Sequence, residues 1–144
     1  MDYSHCRVIT IGKIKKDWIK NGINLYKKRL PKLNFKTIRD SSLKKEAADI
    51  LMSLKNNEYL VTLCEEGECF DSRLFAEHIS KLGKTPIAFV IGGSNGLSSE
   101  IKSKAQLQLS LSKLTFPHEI ASLLLVEQLS RTLTIIKGSP YHCE

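Results

Sequence analysis

Residues 89–105 read FVIGGSNGLSSEIKSKA, an apolar run that empties into Gly92, Gly93 and Gly96 before serines open an amphipathic stretch. Glycine at such a junction either supplies positive φ or removes a side chain so that another group can approach the main chain. The first use makes a turn. The second makes a binding surface whose bare N–H and C=O groups suit an adenine edge or a ribose. Gly92-Gly93-Ser94-Asn95-Gly96 is not the Gly-x-Gly-x-x-Gly of a dinucleotide fold, and it lies late in the chain. No Lys-Ser or Lys-Thr follows the last glycine as a P-loop requires.

Other chemistry-bearing residues are sparse. No pair of acids stands out for hydrolysis. His5-Cys6 and His142-Cys143 place a His-Cys doublet at each end, but their spacing matches no zinc pattern and no metal is expected. Cys6, Cys64, Cys69 and Cys143 contain no Cys-x-x-Cys pair, so free thiols in a reducing compartment are expected. Little acid–base machinery fits a reaction whose electrophile arrives already activated, of which methyl transfer from a sulfonium is an example. Periodicity does not single out that reaction.

The net charge of +7 is unevenly placed, with +10 over residues 1–45, −5 over 46–100 and +2 over 101–144. Lys13, Lys15, Lys16, Lys20, Lys27, Lys28, Arg29 and Lys32 suit a face that meets phosphates, since clustered cations gain by releasing condensed counterions. A solvated lysine-rich helix explains the same cluster. A chain of 144 residues is the size of one domain. Its opening has no signal-peptide core and no apolar run is long enough to span a bilayer, so a soluble, cytoplasmic protein without a membrane partner is expected.

The elements that position these residues follow from periodicity. Arg7–Ile11 reads as a first strand ending at Gly12. Trp18, Ile19, Ile23, Tyr26 and Leu30 recur at helical spacing until Pro31. Phe35–Ile38 reads as a short strand and Leu43–Leu54 as a helix. Tyr59–Cys64 is an apolar strand before an acidic turn at Glu65-Glu66-Gly67-Glu68. Asp71 or Ser72 caps a helix bearing Leu74, Phe75, His78, Ile79 and Leu82, with His78 a partly buried packing residue. Pro86–Ile91 is the strand that feeds the glycine turn, Ser98 or Ser99 caps the next helix, and Leu107–Leu114 alternates as a strand. Asn95 suits a left-handed turn position. Pro117 suits the first position of a long last helix, which Thr115 is placed to cap. Strands alternating with helices predict an α/β fold around a largely parallel sheet with helices on both faces. Ligands collect at the carboxyl ends of such strands, where the turns after Cys64, Ile91 and Leu114 meet.

At FVIGGSNGLSSEI, LSLSKLTFPHE, EQLSR and the terminal SPYHCE, the chain resembles the ribosomal RNA large subunit methyltransferase H family. The similarity runs over essentially the whole chain and is most specific in the C-terminal third. Those are SPOUT-class enzymes that use S-adenosyl-L-methionine to methylate N3 of a pseudouridine in 23S rRNA. The resemblance implies a single domain over residues 1–144, a C-terminal trefoil knot and a homodimer. It implies that Leu63, Gly92, Leu111, Ser112, Lys113, Leu114, Thr115 and Phe116 surround the cofactor, with Gly93 and Gly96 open to turn geometry or ligand contact. It places Arg131, Tyr141 and His142 near the target base, Arg131 orienting RNA or stabilising the developing anion and His142 positioning or deprotonating the base. His118 matches the family's Pro-His. Relatives commonly carry Arg where this chain has Ser122, Tyr where it has Ser130, and a basic residue where it has Cys143 before Glu144. A non-catalytic rRNA-binding or ribosome-assembly protein and a knotted tRNA methyltransferase are the rival readings.

Overall fold

A computed structural model describes residues 2–138 of the chain, and within them five strands alternate with five helices. In order they are β1 (Cys6–Ile11), α1 (Asp17–Lys27), β2 (Asn34–Ile38), α2 (Leu43–Ser53), β3 (Tyr59–Cys69), α3 (Ser72–Leu82), β4 (Ile87–Ile91), α4 (Ser99–Lys104), β5 (Leu107–Ser110) and α5 (His118–Lys137). The strands form one sheet in the order β2-β1-β4-β3-β5, and every pairing is parallel.

All five residues of β4 are buried, because this strand has neighbours on both edges and helices on both faces. Ile87, Phe89 and Ile91 point toward α1, α3 and α5, where Ile19, Ile23, Phe75, Ile79, Leu125 and Leu129 pack on them. Ala88 and Val90 point the other way, toward Ile50 of α2 and Ile101 of α4. The two-residue period of one strand thus serves two cores. On the first face α5 lies against α1 so closely that a Cβ on Gly22 would come 3.1 Å from Leu123. At the start of the chain the buried Tyr3 hydroxyl donates to the carbonyl of Leu129, 2.9 Å away. Arg7 grips Glu58 with two N–H groups at 2.7 and 2.8 Å and also reaches the Ser53 carbonyl, tying β1 to the α2–β3 turn.

Caps follow the expected chemistry: Asp71 accepts from the Leu74 N–H and Ser98 from the Ile101 N–H. His78 is a packing residue, its Nε2 3.0 Å from the Tyr59 hydroxyl. Several expectations need correction. α1 stops at Lys27 and a tight turn carries the buried Leu30 inward ahead of Pro31, whose ring disfavours helix at the residue before it. Trp18 and Leu74 are 60% and 51% exposed rather than on the core face. Pro117 is the N-cap residue of α5, one position earlier than expected, and no side chain caps that helix.

The acidic turn is a bulge within β3. Leu63 and Glu68 both pair with Leu109, so Cys64 to Gly67 swell out of the ladder while the strand continues to Cys69. Gly67 permits it: a Cβ there would stand 2.5 Å from the Gln108 carbonyl oxygen. β5 ends at Ser110 instead of Leu114. The Ser110 hydroxyl donates to the Ser112 carbonyl at 2.8 Å and the Ser112 hydroxyl accepts from the Leu114 N–H at 3.0 Å, which folds the chain into a loop. No helix among the described residues is long and apolar enough to cross a membrane.

Candidate cofactor site

The bulge of β3, the glycine turn after β4 and the loop after β5 leave the same edge of the sheet and enclose a cavity of about 500 Å³. Leu63, Cys64, Glu65 and Glu66 form one wall. Gly92, Gly93, Ser94, Gly96 and Leu97 form a second. Leu111, Ser112, Leu114, Thr115 and Phe116 form the third, which runs into Pro117, His118 and Ala121 at the start of α5.

The glycine turn is held by its own backbone. Gly96 N–H donates to the Gly93 carbonyl at 3.0 Å, Gly96 takes φ +70°, and a Cβ on Gly92 would lie 2.7 Å from the Gly96 carbonyl group. Bareness at Gly92 is therefore demanded by the turn, which in the same stroke leaves main chain facing the cavity. A Cβ on Gly93 would come 3.1 Å from Ile11, so this turn also rests on the end of β1. Asn95 is not the left-handed residue. Its amide donates to the Ser41 carbonyl at 2.9 Å and pins the turn to the β2–α2 loop. The same five residues spell Gly-x-Ser-x-Gly, the pattern of a nucleophile elbow. Ser94 instead lies inside the turn, exposed, and the chain passes Leu97 and Ser98 before α4 begins.

The acidic wall is electrostatically organised. Lys102 of α4 meets Glu66 at 2.6 Å, and the resulting hydrogen bond holds the Glu66 carboxyl below, and the Lys102 ammonium above, their ordinary values. Burial raises the Cys64 thiol, aided by the Glu66 charge, which disfavours the nucleophilic thiolate. Across the cavity, the N-terminus of α5 presents backbone N–H groups without helical partners and the positive end of a twenty-residue helix. A ligand with positive charge at one end and a carboxylate at the other matches these two walls. The cavity size and its mix of apolar walls and few polar groups suit a molecule of nucleoside dimensions. Among the described residues no group of three or more His, Cys, Asp and Glu is placed to hold a metal ion.

The three loops bring together every residue that the family resemblance assigned to the cofactor except Lys113, which is exposed on the same loop and does not line the cavity. The turn after Cys64 is expected at this edge, which covers Glu65 and Glu66, whereas Lys102 of α4 has no signal in the sequence, because only the folded chain sets α4 beside the β3 bulge. Thr115 lines the cavity and caps nothing. Arg131 lies ten residues beyond Ala121 on α5, about 15 Å at the helical rise. Its guanidinium meets Glu127 at 2.7 Å, so it is not part of this wall. Tyr141 and His142 lie outside the described residues, as do Cys143 and Glu144. Ser122 and Ser130 are buried in α5. The Ser122 hydroxyl donates to the His118 carbonyl at 2.9 Å, and that of Ser130 has no protein partner among the described residues.

A family described as "Predicted SPOUT methyltransferase" matches residues 4–142. The chain is 53% identical over 141 residues to ribosomal RNA large subunit methyltransferase H of Prochlorococcus marinus, covering 98% of this chain and 97% of that protein. It is 51% identical over 142 residues to the protein of the same name from Parasynechococcus marenigrum, covering 99% of each. Among solved structures, a probable methylase family protein from Haemophilus influenzae superposes with a TM-score of 0.61 at 13% identity, covering 97% of this chain and 71% of that one. A probable methyltransferase from Bordetella pertussis does so with 0.55 at 13% identity, covering 92% and 98%. The structures share the fold, and the sequences share half their positions from end to end: the chain belongs to the ribosomal RNA large subunit methyltransferase H family of SPOUT methyltransferases.

Proposed function

We propose that the protein transfers the methyl group of S-adenosyl-L-methionine to N3 of a pseudouridine in 23S rRNA. The observation that carries the reading is the three-loop cavity, whose walls contain Leu63, Gly92, Leu111, Ser112, Leu114, Thr115 and Phe116 in a chain of this family. The glycine turn offers main chain to the adenosyl group, the Glu65–Glu66 wall favours the positive sulfonium end, and the α5 N-terminus suits the carboxylate. The cofactor, when bound, supplies a methyl group that needs no further activation. What the protein adds is alignment and a destination for the N3 imino proton.

Arg131, Tyr141 and His142 are proposed to act at the base, Arg131 on the developing anion and His142 on the proton. Arg131 stands well away from its own cavity, so it serves a neighbouring copy more readily than its own chain. A homodimer accounts for that separation and for Trp18 and Leu25 of α1, 60% and 57% exposed on the flank where α1 packs against α5. The trefoil knot and the single domain over residues 1–144 belong to the same reading, supported by three loops that wrap one cavity at one sheet edge.

Two measurements test the function. Titration with S-adenosylhomocysteine is expected to release heat with one site per chain, and its absence in folded protein refutes the cofactor. Mass spectrometry of 23S rRNA from a strain lacking the gene is expected to show loss of methylated pseudouridine. Its persistence favours a non-catalytic rRNA-binding protein, and labelled methyl groups appearing in purified tRNA rather than ribosomes would favour a tRNA enzyme.

A further inference from the structure

The basic N-terminal run divides once folded. Lys32 pairs with Asp2 at 3.1 Å, and one oxygen of Glu119 accepts from the main-chain N–H groups of Lys15 and Lys16 at 2.9 and 3.0 Å, which fixes that loop while their ammonium groups stay outside the concavity. Lys13, Lys20 and Lys27 instead gather around a second concavity of about 310 Å³, with Asn24 of α1 and Thr37 of β2 in its wall and Ile14 and Ile23 at its base. None of the three ammonium groups makes an ion pair within the described residues. Lys27 is steadied by the Phe35 ring, its Nζ 4.1 Å from the centroid.

The arrangement is built into the helix. Lys20, Asn24 and Lys27 stand at i, i+4 and i+7 and share one face, while Trp18, Gly22 and Leu25 repeat the spacing two residues earlier on the opposite flank. Ile19 and Ile23 face the core between them. The lysine face is therefore free of the face that a second copy covers. Lys13 follows β1 and Thr37 lies near the end of β2, so one end of the groove lies at the carboxyl edge of the parallel sheet that also carries the three-loop cavity, and the groove runs back along β2 to Lys27 over Phe35. Glu119 links the two: it follows His118 of the cavity wall and fixes the loop that carries Lys13.

We infer that this groove seats the phosphodiester backbone of the RNA substrate, with Lys13, Lys20 and Lys27 each neutralising a phosphate and Asn24 and Thr37 donating to phosphate or ribose oxygens. The inference rests on the function proposed above and adds a docking site separate from the cofactor cavity. Three cations without an ion pair among the described residues, gathered at one concavity, favour a polyanion, and long-chain ammonium groups contact phosphates without reading sequence. Glu119 is a positioning residue for this groove.

The test compares wild type with Lys13→Gln/Lys20→Gln/Lys27→Gln and with Lys44→Gln/Lys81→Gln/Lys84→Gln, which removes the same charge from exposed lysines elsewhere. Binding to large ribosomal subunits is measured between about 50 and 200 mM KCl, together with KM for subunits and the heat of S-adenosylhomocysteine binding. The groove variant is expected to lower the slope of log K against log salt by about two and to raise KM at least tenfold. Its cofactor heat stays that of wild type, and the control variant keeps the wild-type slope. Equal slopes in all three proteins, or equal losses in both variants, overturn the inference. So does a thermal shift by inorganic phosphate that only the groove variant loses while RNA slopes agree, which would mark a small-anion site. Failure of cofactor binding in wild type refutes the proposed function without touching the slope comparison.

Discussion

An ideal Cβ on Gly92 falls 2.7 Å from the carbonyl carbon of Gly96, so these two residues pack main chain on main chain across the turn that walls the cavity. Gly92→Ala must therefore shift backbone. It is expected to cost about 1–3 kcal/mol of stability, as overpacking does, and to weaken S-adenosylhomocysteine binding at least tenfold. Gly96→Ala has open space around it but φ +70°, so it is expected to cost only about 1 kcal/mol. Thermal melts and calorimetry on both variants check the order; equal effects would mean that the contact is not what shapes the turn.

The Arg7–Glu58 pair is almost wholly enclosed, with side chains 11% and 3% exposed. Burial alone would raise the Glu58 carboxyl, but the hydrogen bonds from Arg7 and the Lys55 N–H outweigh it and the value is lowered. Because the folded-state value lies below the unfolded one, the contribution is complete above the ordinary glutamate range and fades as pH falls through the folded value. Urea midpoints of wild type are expected to drop below pH 5, more steeply than those of Glu58→Gln. At pH 7, Glu58→Gln is expected to cost about 3 kcal/mol, because it leaves a buried guanidinium without its counter-charge.

Trp18→Glu and Leu25→Glu place carboxylates on the exposed flank of α1. Each is expected to raise the dimer dissociation constant about 100-fold by sedimentation equilibrium while leaving the monomer's melting temperature nearly unchanged. A monomeric wild type at micromolar concentration would refute the homodimer.

Arg131→Ala is expected to lower kcat for methyl transfer at least 100-fold with S-adenosylhomocysteine affinity unaltered, since Arg131 stands outside the cavity wall. His142→Ala is expected to lower kcat and to flatten the acid limb of its pH profile. Wild-type turnover in both variants would remove these residues from the chemistry.

Cys64 lines the cavity with its thiol raised by burial, whereas Cys69 is exposed. Peptide mapping after iodoacetamide treatment at neutral pH is expected to show Cys69 modified well before Cys64. S-adenosylhomocysteine should slow Cys64 further. Cys6, buried with its thiol pushed up to about 12, reacts only on unfolding.

What could be read in advance depended on whether the signal was local. The alternation of strand and helix, the caps at Asp71 and Ser98 and the convergence of three loops all follow from short-range pattern and from the geometry of parallel sheets. The β3 bulge did not, because Glu65-Glu66-Gly67-Glu68 has the composition of a turn and only the backbone of Gln108, forty-odd residues on, explains why Gly67 stays in the strand. LSLSKL kept a two-residue period past the end of β5, where serine hydroxyls bond to nearby backbone and fold a loop. Trp18 fits a helical period as well as Ile19 does, and periodicity alone does not separate a core face from one left open to a partner. The lysines were visible as a cluster, but only the α1–β2 packing sorts Lys13, Lys20 and Lys27 from the rest.

The hydrogen bond from Tyr3 to Leu129 spans 126 positions, and β1 lies between β2 and β4, the second made long after the first. During synthesis the opening residues thus emerge without their permanent neighbours and wait for nearly the entire chain to follow. A translation product that ends before α5 leaves the Tyr3 ring without its cover, and one that ends before β4 also leaves an edge of β1 unpaired; both are marked for aggregation or degradation rather than for partial activity.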